Sequence, residues 1–231
     1  MASSTERRVR GPGAATPWGT TAEVLLGALM LGTAALGGLI FVHRPWPNRL
    51  DAWGYRALPA AFHSQWAHDF AKLGSLTVLV VGVIAVFIIG LLRDWVRAVA
   101  CAAAPVIAVL IVQDLAKPLV DRHIGISGAS SYPSGTVAAV AALSTAATLV
   151  MPKLLRPLVA LVGAMATVGV CAAVIVLRWH YPTDTLGGIG VGVGAVLVVD
   201  ALFHLPWAIA AAFRGVRSER SIAVRRSPRL A

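Results

Sequence analysis

His180 and Asp184 lie four residues apart in the segment Leu177-Arg178-Trp179-His180-Tyr181-Pro182-Thr183-Asp184-Thr185-Leu186-Gly187-Gly188. An imidazole at that distance from a carboxylate can have its tautomer fixed and one ring nitrogen activated as a nucleophile. Pro182 suits the first turn of a helix, because it lacks the N–H that would go unpaired there. His180 then stands just outside a helix N-terminus and Asp184 lies within its first turn. Free N–H groups and the positive dipole end would face that spot, which favours an anion. A wet interhelical loop with an interfacial tryptophan explains the dodecamer alone equally well.

Two further segments carry chemistry of the same kind. Lys117-Pro118-Leu119-Val120-Asp121-Arg122-His123 puts two cations and a histidine at the end of an apolar run. Ser130-Ser131-Tyr132-Pro133-Ser134-Gly135-Thr136 puts a Pro-Ser-Gly turn at the start of another. There Gly135 permits close backbone approach, and first-turn N–H groups with the Ser134 hydroxyl can hold oxyanions. Each segment also has a structural explanation, as interfacial anchors and as a capped helix start. Together on one face they describe a phosphate site.

The elements that must position these residues are membrane spans. The chain has 231 residues, of which 58% are hydrophobic and 13% charged, and its mean hydropathy is +0.77. That excludes an ordinary soluble domain. The expectation is an all-α integral membrane bundle of six helices: Ala22–Val42, Gly74–Leu92, Val96–Asp114, Gly135–Met151, Pro157–Leu177 and Leu186–Leu205. Each is about the 20 residues a bilayer core requires, and the fourth is the shortest. Residues 1–21 read as a disordered basic arm, 22–210 as the membrane domain and 211–231 as a basic tail lying against anionic lipid headgroups. Leu58–Lys72 is expected as a short interfacial helix with Trp66 and Phe70 on one face. Cys101 and Cys171 fall inside apolar runs and read as core residues. No carboxylate cluster or His/Cys spacing implies a metal, and no cofactor is expected.

The net charge of +10 lies mostly in tails and loops beside the spans, which points to membrane lipids and away from nucleic acid. Placing the N-terminus inside leaves thirteen Lys and Arg on the inner side and seven on the outer. The expected topology therefore has both termini cytoplasmic, in the plasma membrane. Lys117, Arg122, Ser134, Arg178, His180 and Asp184 then all reach the outer face. Asp114 is expected to pair with Lys117, and Asp200 with His204 near the inner end of the last span. The oligomeric state is not legible.

Lys117…Arg122, Tyr132-Pro133-Ser134-Gly135 and His180-Tyr181-Pro182-Thr183-Asp184 resemble the three motifs of the type-2 phosphatidic acid phosphatase superfamily of membrane lipid phosphatases. The resemblance implies that His180 attacks phosphorus and becomes phosphohistidine, that Asp184 orients it, and that Lys117, Ser134 and Gly135 bind phosphate. Arg122 and Arg178 are the nearest cations to those the family uses, but the spacing differs. Ile124 stands seven after Lys117, and Val174 stands six before His180. The second motif of the family ends in a histidine that acts as general acid; here that position is Thr136. Loss of such an acid costs about 10²–10⁴ in rate. It matters less when the leaving group is itself a phosphate, which tilts the expected substrate towards a lipid diphosphate such as a polyprenyl diphosphate. His123 is a substitute acid if its loop folds inward, and Thr136→His is expected to speed hydrolysis of a monophosphate ester. Two alternatives stand beside the enzyme: a pseudoenzyme that binds a lipid phosphate without turnover, and a small transporter with His180–Asp184 as a proton relay.

Overall fold

The computed structural model describes residues 17–44, 46–124 and 130–226. Most of the expected N-terminal arm lies outside them. Every regular element among the described residues is a helix: α1 (Pro17–Phe41), α2 (Arg49–Ala57), α3 (Gln65–Lys72), α4 (Leu76–Leu91), α5 (Trp95–Leu110), α6 (Lys117–Val120), α7 (Gly135–Val150), α8 (Arg156–Val176) and α9 (Pro182–Arg226). A π-helical turn, Ile111–Ala116, joins α5 to α6. The backbone of the basic tail is helical through Arg226, as the continuation of α9.

Four helical stretches are long and apolar enough to cross a membrane: Thr20–Phe41, Trp95–Val120, Arg156–Val176 and Pro182–Pro206. A fifth arises if α3 and α4, bent by 44° at the break between them, form one broken span. The fourth expected span, α7, has 16 residues and rises about 24 Å, short of a hydrocarbon core of about 30 Å. It lies inside the bundle against α4, α5, α8 and α9, so protein rather than lipid surrounds most of it.

Small residues make the centre. Cys101, Ala104 and Ala108 of α5, Ala138, Ala142 and Ala146 of α7, and Val191, Ala195 and Val196 of α9 are all buried in one cluster. Without a hydrophobic drive between helices in lipid, association relies on close backbone approach, which such residues permit. The large side chains face outward instead: Leu25, Leu29 and Leu36 on α1, Val81, Ile84 and Ile88 on α4, and Leu158, Leu161 and Met165 on α8. Cys101 and Cys171 are both free thiols.

Between α1 and α4 the structure departs from expectation. Leu58–Ser64 is not helical, and the helix begins only at Gln65. Its Trp66 and Phe70 rings meet edge-on at 6.2 Å. A separate helix, α2, precedes it. Its start is set by a reciprocal cap in which the Asn48 side chain accepts from Asp51 N–H and Asp51 Oδ2 accepts from Asn48 N–H.

At the end of the bundle away from α2, Asp200 is fully buried and is clasped by Arg97, Nε and Nη2 lying 2.9–3.2 Å from its oxygens. His204 does not pair primarily with that carboxylate, which is 3.5 Å away. Its Nδ1 lies 2.8 Å from the Asp200 carbonyl, and its Nε2 faces Asp94 at 3.4 Å. The expected two-residue pair is thus a four-residue network that ties α9 to the start of α5.

Candidate active site

Three loop segments meet at the opposite end, the second being residues 130–134 before α7. The first follows α5. Its π turn delivers Lys117, half-buried, to a cavity of about 300 Å³ lined by Lys117, Ile124, Ser130, Ser131, Arg178, Trp179 and His180. No ion pair joins Asp114 to Lys117 among the described residues; Asp114 is exposed, and the wider π turn takes the two out of the expected register. A larger, apolar cavity of about 390 Å³ between α7, α8 and α9 is lined by no titratable residue.

The third loop begins where α8 ends. Arg178 adopts a left-handed φ of 59°, reversing the chain so that the N–H groups of Trp179 and His180 both donate to the Val174 carbonyl. Pro182 is the first residue of α9, the position its missing N–H suits. Asp184 in the first turn accepts the Tyr181 N–H at Oδ2, 2.9 Å. The Arg178 guanidinium lies over the Tyr55 ring at 3.8 Å and donates to the Tyr55 carbonyl, 3.0 Å, while still lining the cavity.

His180 Nδ1 lies 2.8 Å from the Ser131 carbonyl oxygen. A carbonyl only accepts, so Nδ1 carries the proton and Nε2 keeps its lone pair. Nε2 has no hydrogen-bond partner among the described residues, and His180 lines the cavity. Burial, reinforced by the Lys117 charge, pushes the His180 pKa down to about 4, against the pull of the Ser131 hydrogen bond. The ring is neutral at pH 7, the state a nucleophilic nitrogen needs.

The expected His180–Asp184 contact of about 2.6–3.2 Å is not made. The Asp184 Oδ2 lies 3.9 Å from Nδ1, because both carboxylate oxygens are committed elsewhere: Oδ2 to Tyr181 N–H and Oδ1 to Arg122 Nη1 at 2.5 Å. The Asp184 carbonyl accepts the Ser134 N–H, 2.9 Å. One residue therefore ties together all three loops.

Arg122 is fully buried and does not line the cavity. Its Nη1 donates to Thr183 Oγ1 and Asp184, its Nη2 to Asp51 Oδ2 at 2.7 Å. Ser134 is also buried; its hydroxyl caps α7 by accepting from Val137 N–H, 3.4 Å. Gly135 faces the Gln113 amide: a Cβ there would lie 2.7 Å from its nitrogen. Thr136 lies away from the cavity, against the break between α3 and α4. A Cβ on Gly74 would lie 2.6 Å from the Thr136 carbonyl oxygen. His123 does not fold inward; its Nε2 is 2.7 Å from Asp121, which also faces His43 at 3.5 Å.

Asp51 and Tyr55 were outside the expected site because α2 was. The Asn48-x-x-Asp51 spacing is the sequence signal that marks that helix.

The family model of the PAP2 superfamily matches residues 22–207. The chain belongs to the PAP2 superfamily. A solved structure, the first transmembrane PAP2 type phosphatidylglycerolphosphate phosphatase from Bacillus subtilis, aligns with a TM-score of 0.60 at 17% identity, covering 75% of this chain and 95% of that one. At that identity the likeness bears on the fold of this PAP2 protein. No curated protein matches the chain.

Proposed function

We propose that this PAP2 superfamily member is a membrane lipid phosphatase that works through a phosphohistidine on His180, with the cavity on the outer face of the plasma membrane and both termini inside. The observation that carries the reading is the His180 Nε2 lone pair, unpaired among the described residues, in a cavity shared with Lys117 and Arg178. The two cations hold the phosphoryl oxygens and stabilise charge in the transition state. Nε2 forms a bond to phosphorus while the bond to the leaving oxygen breaks, the electron pair departing with that oxygen. Water then adds to phosphorus, the N–P bond breaks with its electron pair returning to Nε2, inorganic phosphate leaves carrying both water hydrogens, and a neutral imidazole returns.

Among the described residues, no second histidine lines the cavity. Thr136 faces Gly74 and His123 is held by Asp121, so neither is an acid in this reading. A leaving group that departs as a stable anion fits such a site best, which favours a lipid diphosphate, including a polyprenyl diphosphate, over a monophosphate ester. The same absence favours, as the second reading, a protein that binds lipid phosphate with little turnover. Ser134 and Gly135 serve here as the start of α7 that bears on Asp184. Phosphate release by purified protein from a panel of lipid mono- and diphosphates tests the proposal. Turnover of a diphosphate that His180→Ala abolishes supports it, and silence on every substrate refutes it.

A further inference from the structure

The residues that hold Asp184 reach outside the three motif segments. Asp51 of α2, Arg122 and Asp184 are each 0% exposed, and Arg122 stands between the two carboxylates, 2.7 Å from Asp51 and 2.5 Å from Asp184. The Phe41 and Tyr181 rings enclose the guanidinium at 4.2 and 4.4 Å. Thr183 closes the arrangement. Its hydroxyl lies 2.8 Å from Arg122 Nη1 and 2.8 Å from Asp51 Oδ1. Arginine only donates and a carboxylate only accepts, so the hydroxyl takes a hydrogen bond from Arg122 and gives one to Asp51. Asp51 Oδ1 also accepts the Thr183 N–H, 3.0 Å, and so caps the start of α9.

We propose that Asp51 and Arg122 form a buried relay that positions the His180 turn through Asp184, and that Arg122 is not a ligand of the substrate phosphate. Nη1 of Arg122 gives its two N–H groups to Thr183 and Asp184, Nη2 donates to Asp51, and Nε is buried without a partner. No edge of the guanidinium lines the cavity. The relay instead fixes Asp184 Oδ1, which leaves Oδ2 aimed at the Tyr181 N–H, one residue from His180. The Asp184 carbonyl holds Ser134, and through that loop the Ser131 carbonyl that sets the imidazole tautomer. A buried carboxylate beside another is tolerated only with a cation between them, which is the place Arg122 occupies. Asp51 and Arg122 are thus positioning residues, acting on His180 through Asp184.

The kinetic arm of this proposal rests on the lipid-phosphatase reading; the spectroscopic arm does not. Asp51→Asn removes one charge at constant shape. Thr183→Val removes only the hydroxyl link, and serves if Asp51→Asn fails to fold. In the full-length protein each should lower kcat by up to about 10²-fold, the cost of misplacing a reacting group by about 1 Å. KM for a lipid diphosphate and inhibition by inorganic phosphate should stay within about twofold. Nitrogen NMR of labelled histidine should show His180 moving from the pure Nδ1–H tautomer to a mixture. Weakened phosphate inhibition and raised KM at unchanged kcat, in these variants or in Arg122→Lys, would identify Arg122 as a phosphate ligand and overturn the proposal. If the wild type hydrolyses nothing, the phosphatase reading fails and the spectrum alone decides. A His180 signal altered by Asp51→Asn or Thr183→Val keeps the relay, and an unaltered signal in both ends it.

Discussion

The Ser131 carbonyl, at 2.8 Å, holds the His180 imidazole, and the Asp184 carboxylate, at 3.9 Å, does not. A backbone group sets the tautomer, so no side-chain substitution can remove that hydrogen bond directly. The acidic residue four positions on acts through the turn between them.

The pH dependence follows from the burial of His180. Its pKa is lowered to about 4, so in the unfolded chain, where it is near 6.5, the ring binds more protons between those values. Its contribution makes stability rise with pH across that window and fall as the solution is acidified through it. The rate of phosphoenzyme formation should show no inflection from His180 near pH 6.5 and should fall as pH approaches 4. A pH profile of kcat with a lipid diphosphate checks this, and an inflection at 6.5 that His180 alone accounts for would contradict it.

Asp184→Asn should destabilise the fold as well as slow it. Arg122 would keep Asp51 but lose one of two carboxylates in a fully buried site. Breaking a buried pair costs up to about 3–5 kcal/mol. Denaturant unfolding of the purified protein measures it, and a variant as stable as wild type would show that Arg122 is solvated in the bundle.

Thr136→His should not restore a general acid. The first turn of α7 presents Thr136 to Gly74 rather than to the cavity. The larger ring has to displace the break between α3 and α4, at a cost of about 1–3 kcal/mol. Monophosphate hydrolysis should be no faster than wild type. A selective gain on the monophosphate would mean that the α3–α4 break yields and the ring reaches the substrate.

Gly54→Ala tests the seating of α2. A Cβ there would collide with the Pro182 ring. The overpacking should cost about 1–3 kcal/mol and lower kcat with little change in KM. Equal loss in both would argue that α2 touches the substrate itself.

The orientation is tested by a reporter fused after Ala231. The proposed orientation, argued from the thirteen-to-seven distribution of Lys and Arg, predicts a signal from the cytoplasm, and a signal from outside would invert the topology.

Much of this arrangement is readable along the chain because it is local. Hydropathy marks the helices, Pro182 marks where α9 starts, and Lys117, Arg178 and His180 gather in one cavity as adjacent loop residues of one end should. What is not readable depends on long separations. Asp51 meets Arg122 across 71 residues and Thr183 across 132, and no periodicity reports such a pairing. An arginine beside a span reads as a cation available to phosphate; only the fold shows that carboxylates from two other helices consume it. The direction of Thr136 is likewise set from outside its own helix, by the tight approach of Gly74.

The ionic attachments of α9 also define a length. Asp184 and Asp200 are sixteen residues apart on one helix, about 24 Å along its axis. That separation fits inside a hydrocarbon core of about 30 Å, and the salt bridges on each carboxylate prevent α9 from sliding to adjust. A thicker bilayer must therefore thin locally or draw charged groups inward, each at a cost per ångström of mismatch. Because the His180 turn is bolted to one of these anchors, the thickness of the surrounding lipid bears directly on the geometry of His180 Nε2.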